Sequence, residues 1–314
     1  MTAGSSSTPR PSVGTPESGM VFMIVAVLLV PLSDALSKSL TGLLNPFEIA
    51  FWRFLFQLVV LALIVVATRR RLMRGPWPLL ILGGLTSAAT LAALIGAFVT
   101  MPIATAIAIF FVEPLILTVL SGWFLGEKAG WRRYVAVAVG LVGAVIVIRP
   151  SWDVFGWSSM LPLIAAAAFA GNAIVIRKLS PVMDAVSIQF WFALVAVVAI
   201  GGGLLVLGRF DLIGLAGIDP TGPWGQLVFM GMLSALTFFL FSEAFRRTPA
   251  STLAPFQYIE IIGATIVGYV FFGDFPDLWT WVGTAVILAS GLYVFQRERK
   301  QSQFEAIAAR ARAK

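Results

Sequence analysis

Apolar residues run along this chain in blocks of about twenty, separated by short clusters of charged residues, Gly and Pro. A helix rises about 1.5 Å per residue, so about twenty mostly apolar residues cross the hydrocarbon core of a bilayer. Ten segments meet that length: 20–40, 47–68, 78–100, 104–125, 131–148, 158–176, 186–207, 226–245, 251–272 and 279–295. Residues 1–19 are dominated by Ser, Thr, Pro and Gly and predict a disordered tail. The first apolar block lacks a basic leader and a small-residue cleavage pattern, so it predicts a spanning helix, not a signal peptide.

The pattern is written twice. Residues 84–126 align without a gap on 231–273, with twelve identities in forty-three positions: Gly84, Ser87, Ala88, Thr90, Ala97, Phe98, Pro102, Thr105, Glu113, Thr118, Phe124 and Gly126 each recur 147 residues later. The first two segments of each half correspond more weakly at a shift of 139, which pairs Lys38 with Arg177 and Trp52 with Trp191. After Asp274 the shift is 148 and pairs Gly143 with Gly291. A repeat of this length sets the architecture. It predicts an all-α integral membrane protein with ten transmembrane helices in two five-helix repeats, 20–150 and 151–296, followed by a basic tail over 297–314. Five is odd, so the second repeat must be inverted relative to the first. That is the plan of secondary transporters, whose site lies near mid-membrane between the repeats.

Composition agrees: 59% of residues are hydrophobic, 12% are charged, and the mean hydropathy is +0.94. The excess of Lys and Arg, 22 against 15 Asp and Glu, would suggest nucleic acid in a soluble domain. Here it is a topology signal. With both termini cytoplasmic, eighteen of the 22 basic residues fall on the cytoplasmic side, including the cluster Arg69, Arg70, Arg71 and Arg74. The sequence contains neither Cys nor His, which excludes disulfides, thiol chemistry and the commonest metal ligand and proton shuttle. No nucleotide-binding motif occurs; GWFLGEK superficially resembles a phosphate loop but has three residues between its glycines. No cofactor, metal or nucleic-acid partner is expected. Transport would be driven by a gradient or by exchange.

From Pro114 through LSGWFLGEK to Lys128, and on through WRRYVAVAVGLVGAVIVIRP, the sequence resembles the drug/metabolite transporter superfamily, in particular its ten-helix EamA-type members. The stretch with Asp34, Lys38 and then Pro46 to Arg53 is similar to the branch that carries amino-acid-derived and vitamin-like metabolites. The resemblance implies a transporter of the bacterial inner membrane. It implies an amino acid or derivative as substrate, with export favoured over uptake, and riboflavin-like or S-adenosylmethionine-like substrates as the alternatives. A partner of the closing Gly126-Glu127 is Gly273-Asp274, a departure expected to matter little at a helix end.

An intramembrane carboxylate is costly to place in lipid and should face protein or a water-filled cavity. Glu113 and its repeat mate Glu260 are expected to face each other across the pseudo-symmetry axis, as substrate ligands or proton carriers; protons are then the candidate coupling ion. Asp34 and Lys38 are four residues apart and can pair, either as an outer gate or as the holder of a zwitterion. Arg53 is placed at the interface, within reach of a substrate carboxylate. Glu243 is expected to pair locally with Arg246. Gln257, Tyr258 and the Phe residues at 238, 239, 241 and 245 suggest an aromatic pocket, and Asn172 is a buried polar candidate. Trp52 and Trp191 fit interfacial anchors. A membrane enzyme would want His, Cys or clustered Asp; a non-transporting receptor or scaffold stays open. The oligomeric state is a monomer or a homodimer.

Overall fold

The computed structural model describes residues 16–124, 131–208, 223–247, 253 and 256–312, and among them every regular element is helical. In chain order they are α1 (Pro16–Leu40), α2 (Pro46–Ala67), α3 (Trp77–Phe98), α4 (Ile103–Phe110), α5 (Glu113–Phe124), α6 (Trp131–Phe155), a 3₁₀ turn (Gly156–Met160), α7 (Leu161–Leu179), α8 (Ala185–Val206), α9 (Pro223–Arg247), α10 (Ile259–Phe272) and α11 (Leu278–Arg312). Seven spans are long and apolar enough to cross a membrane, with α4 and α5 forming one of them. Three shorter apolar helices, Tyr134–Ile148, Ile259–Phe272 and Leu278–Val294, bring the crossings to the expected ten.

Helix ends follow local chemistry. Asn45 caps α2: its side chain accepts from the Glu48 amide at 3.0 Å, the Glu48 carboxylate accepts from the Asn45 amide, and Pro46 occupies the first turn where its missing N–H is harmless. Asp184 caps α8 by accepting from the Ser187 amide at 2.8 Å. Gly273, in the left-handed region at φ 71°, ends α10. α1 begins at Pro16, inside the stretch read as a disordered tail, because proline fixes a helical φ at a first turn; residues 1–15 lie outside the described residues. So do Glu127 and Lys128 of the sequence signature.

The packing obeys the repeat. α1 packs on α9 as α7 packs on α3; α3 packs on α8 as α9 packs on α2; α1 meets α10 as α7 meets α5. The pairs α2 with α8 and α6 with α11 are each their own symmetry mates. The same relation holds at atomic detail. Gly84 lets α3 close on the Val195 side chain, and its repeat mate Gly231 lets α9 close on Phe56, which is 139 residues before Val195. Small residues at such crossings let membrane helices approach until dispersion contacts replace lipid. α4 runs through the centre, with every residue from Ile103 to Ile109 buried.

Candidate functional site

The fourth and ninth crossings are both broken where their carboxylates stand. Pro114 has no N–H, so the Phe110 carbonyl has no donor four residues on, and α4 ends in a tight turn in which the Val112 amide reaches back to Ile109 at 3.1 Å. α5 then starts at Glu113. In the second half Tyr258 interrupts the helix and Glu260 is the second residue of α10. Both carboxylates therefore sit in the first turn of a half-helix, a discontinuity of the kind that membrane proteins tolerate where backbone lines a protein-enclosed cavity. Glu113 and Glu260 are half-buried, lie within electrostatic range of each other, and make no hydrogen bond or ion pair to any described side chain. Their neighbours Phe111 and Tyr258, also repeat mates, pack ring against ring at 5.6 Å. Gly291 leaves room for the Tyr258 hydroxyl against α11.

Beside this axis the first two helices contribute an ion pair. Arg53 is not at the interface: it lies more than a turn inside Glu48 and points inward, its side chain 13% exposed. Its Nη1 donates to Asp34 Oδ1 at 3.2 Å and to Ser37 Oγ at 3.4 Å, and its Nε donates to Ser234 Oγ on α9 at 2.9 Å. Asp34 therefore pairs with Arg53, not with Lys38. The second carboxylate oxygen of Asp34, which is 2% exposed, has no hydrogen-bond partner among the described residues. Asp34 and Arg53 both act electrostatically on Glu260, which places the pair and the Glu–Tyr axis in one polar cluster.

Lys38 points elsewhere along the same helix. Its Nζ donates to Asp274 Oδ2 at 2.6 Å and to the Met101 carbonyl at 3.2 Å, and lies 4.7 Å over the Phe272 ring. The Gly-Asp at the end of α10, expected to be of little consequence, thus supplies the partner of Lys38. Asn172 is not in the cluster: its Nδ2 donates to the Gly83 carbonyl at 2.8 Å, Thr86 Oγ1 at 3.1 Å and Ser87 Oγ at 2.9 Å, tying α7 to α3. Its repeat mate is Ser33, whose hydroxyl lies 3.5 Å from that of Ser234, the mate of Ser87. The two bridges are therefore one contact used twice, and only the copy on α1 and α9 receives an arginine, because Phe192 stands where Arg53 would be. Gln257 is half-buried immediately before the break at Tyr258.

Glu243 pairs with Arg247, four residues on, at 3.0 Å, the spacing that brings side chains onto one face; the side chain of Arg246, its expected partner, lies outside the described residues. Phe239 is exposed toward the bundle's surface and Phe241 packs on the start of α1, so neither joins the aromatic wall of Phe111 and Tyr258; Phe238 is half-buried, and the side chain of Phe245 lies outside the described residues. Trp52 is buried against Trp224 at 5.0 Å, too deep in the bundle for an interfacial anchor. Ser37, Ser234 and Asp274 were missed as contributors. The signal for Ser234 was its identity with Ser87 in the repeat. Two cavities, of about 570 Å³ between α6 and α11 and about 590 Å³ between α2, α3 and α8, are lined mostly by apolar groups and contain none of these residues.

The fold and the paired half matches converge on one family. The EamA-like transporter family matches residues 17–149 and again 156–296. The S-adenosylmethionine uptake transporter of Rickettsia bellii is 30% identical over 90% of this chain and 94% of its own length. The riboflavin transporter of Rhizobium johnstonii is 28% identical over 91% and 93%. The pseudopaline exporter of Pseudomonas aeruginosa is 26% identical over 87% and 94%. A protein of known crystal structure shares the fold at a TM-score of 0.62 and 20% identity, covering 91% of this chain and 99% of its own. With two copies of the family's unit filling the helical region, the chain belongs to the EamA-like transporter family.

Proposed function

We propose that this protein is a secondary transporter of the bacterial inner membrane that takes up a small amphipathic metabolite by alternating access of its two inverted repeats, with both termini cytoplasmic. The observation that carries the reading is a set of buried or half-buried polar groups without described partners: Glu113 and Glu260 at the two helix breaks, and Oδ2 of Asp34 within α1. Intramembrane ionisable groups are expensive and mark substrate or ion pathways. The binding set is Asp34, Arg53, Glu113, Tyr258 and Glu260, with Gln257 at its edge, and protons are the coupling ion carried by the glutamates. Lys38 and Asp274 join the first repeat to the second at the non-cytoplasmic end and close that side.

An amino-acid-derived substrate of the S-adenosylmethionine kind is favoured, because relatives named for its uptake align over nine-tenths of the chain. Export, the direction implied by the family resemblance alone, has the pseudopaline exporter as its parallel. A riboflavin-like substrate is the second reading, favoured by the Phe111–Tyr258 pair as an aromatic wall. The test is accumulation of radiolabelled S-adenosylmethionine and riboflavin in proteoliposomes preloaded with the unlabelled compound. Counterflow above protein-free vesicles supports transport and names the substrate. Absence of flux for every compound that binds leaves a non-transporting receptor or scaffold.

A further inference from the structure

Asp34 and Arg53 satisfy only half of each other. Arg53 spends Nε and Nη1 on Ser234, Ser37 and Asp34 Oδ1, while Nη2 makes no hydrogen bond among the described residues. Asp34 keeps Oδ2 unpaired although the residue is 2% exposed. A buried carboxylate oxygen without a donor costs a substantial desolvation penalty, and a ligand group that supplies the donor removes it. The ion pair thus presents one strong acceptor beside a two-pronged donor. Glu260 lies within electrostatic range of the pair and Glu113 within range of Glu260, and no described side chain hydrogen-bonds or ion-pairs with either glutamate.

We propose that Asp34 and Arg53 form the recognition element for a zwitterionic head, an ammonium on Asp34 Oδ2 beside a carboxylate on Arg53 Nη2, and that Glu113 and Glu260 select ligands bearing a second positive centre. The proposal deepens the transport reading and rests on it for the location of the site, but its test is binding, which does not require flux. A neutral imide edge, such as that of a flavin, also offers an acceptor beside a donor and fits the Asp34–Arg53 pair alone. It brings no charge for the glutamates. The acidic surplus is therefore what separates the two ligand classes.

The discriminating measurement is the affinity of the detergent-purified full chain for S-adenosylmethionine, for S-adenosylhomocysteine, which lacks only the methyl and the positive charge on sulfur, and for riboflavin. A hydrogen bond to a charged group is worth enough to expect a loss of about tenfold or more for S-adenosylmethionine on Asp34→Asn, and the lost coulombic attraction of the sulfonium to a carboxylate in a site shielded from water predicts a loss of about the same size for S-adenosylhomocysteine. Equal affinities for the two adenosyl compounds, which need no variant and so no assumption about folding, would overturn the charge selection. Riboflavin binding in preference to both would overturn the zwitterion assignment. Binding of S-adenosylmethionine without counterflow would support this inference while refuting transport. Counterflow of another compound with no S-adenosylmethionine binding would do the reverse.

Discussion

Lys38 Nζ lies 2.6 Å from Asp274 Oδ2, and the two residues belong to different repeats. Together with the Met101 carbonyl and the Phe272 ring, this ties the end of α1 to the turns after α3 and α10. Both side chains keep some solvent contact, so an ion pair here is worth about 0.2–1 kcal/mol and does not decide whether the protein folds. In the proposed alternating-access cycle it would bias one arrangement of the repeats over the other, and about 1 kcal/mol is a fivefold change in a two-state ratio. Asp274→Asn is expected to leave the melting temperature nearly unchanged and to raise the accessibility of a cysteine introduced at Thr41. The chain contains no native Cys, so thiol labelling reads that position without background. Unchanged labelling in Asp274→Asn would reduce the pair to a surface contact.

The deeper ion pair should behave in the opposite way. Asp34 and Arg53 are almost wholly enclosed, with side chains 3% and 13% exposed. Removing one member of such a pair strands the other, at a typical cost of about 3–5 kcal/mol, whereas replacing both by apolar groups of similar volume is often neutral. Arg53→Leu is expected to lower thermal stability strongly, and the double change Asp34→Leu with Arg53→Leu to recover most of the loss. Substrate binding should stay absent in the double variant. Equal melting temperatures for the single and double variants would show that the two groups do not depend on each other.

The two repeat glycines offer a test of the inverted architecture that involves no site residue. A methyl group on Gly231 would collide with Phe56, and one on Gly84 with Val195, at crossings related by the pseudo-twofold axis. Overpacking a tight crossing costs about 1–3 kcal/mol. Gly84→Ala and Gly231→Ala should each lower stability by an amount in that range. A drop for one and none for the other would mean that the crossings are not equivalent.

How much of this was legible depends on what each signal measures. Crossings, repeat and inversion came from the apolar periodicity and the 147-residue shift, because burial in lipid constrains every position of a span. The break at Glu113 was foreshadowed by Pro114, whose missing N–H is local chemistry. The ion-pair partners were not legible. Asp34 and Lys38 have the spacing that lets residues pair on a helix, yet each finds a better partner on another element, Arg53 on α2 and Asp274 beyond α10. Such choices depend on which faces two helices turn toward each other, and the chain order carries no record of that. Asn172 belongs with them: a buried amide reads alike whether it awaits a ligand or already bridges α7 to α3.

Glu113 and Glu260 stand at matching half-helix starts with no described partner, within electrostatic range of each other. If they carry the coupling proton, a glutamine at either position keeps the shape and a hydrogen-bonding carbonyl but cannot exchange a proton. Glu113→Gln and Glu260→Gln are therefore expected to retain counterflow once substrate is raised to offset their weaker binding, because counterflow needs only exchange of substrate across the membrane. They should lose the acceleration of net uptake that an imposed pH gradient gives the wild-type protein. Although the two glutamates are identical in the repeat, neither is expected to replace the other, since Asp34 and Arg53 act on Glu260 and make their surroundings unequal. The measurement is initial uptake in proteoliposomes with and without an imposed gradient, compared with counterflow in the same vesicles. Full gradient dependence in both single variants would remove the glutamates from coupling and leave them as substrate ligands alone.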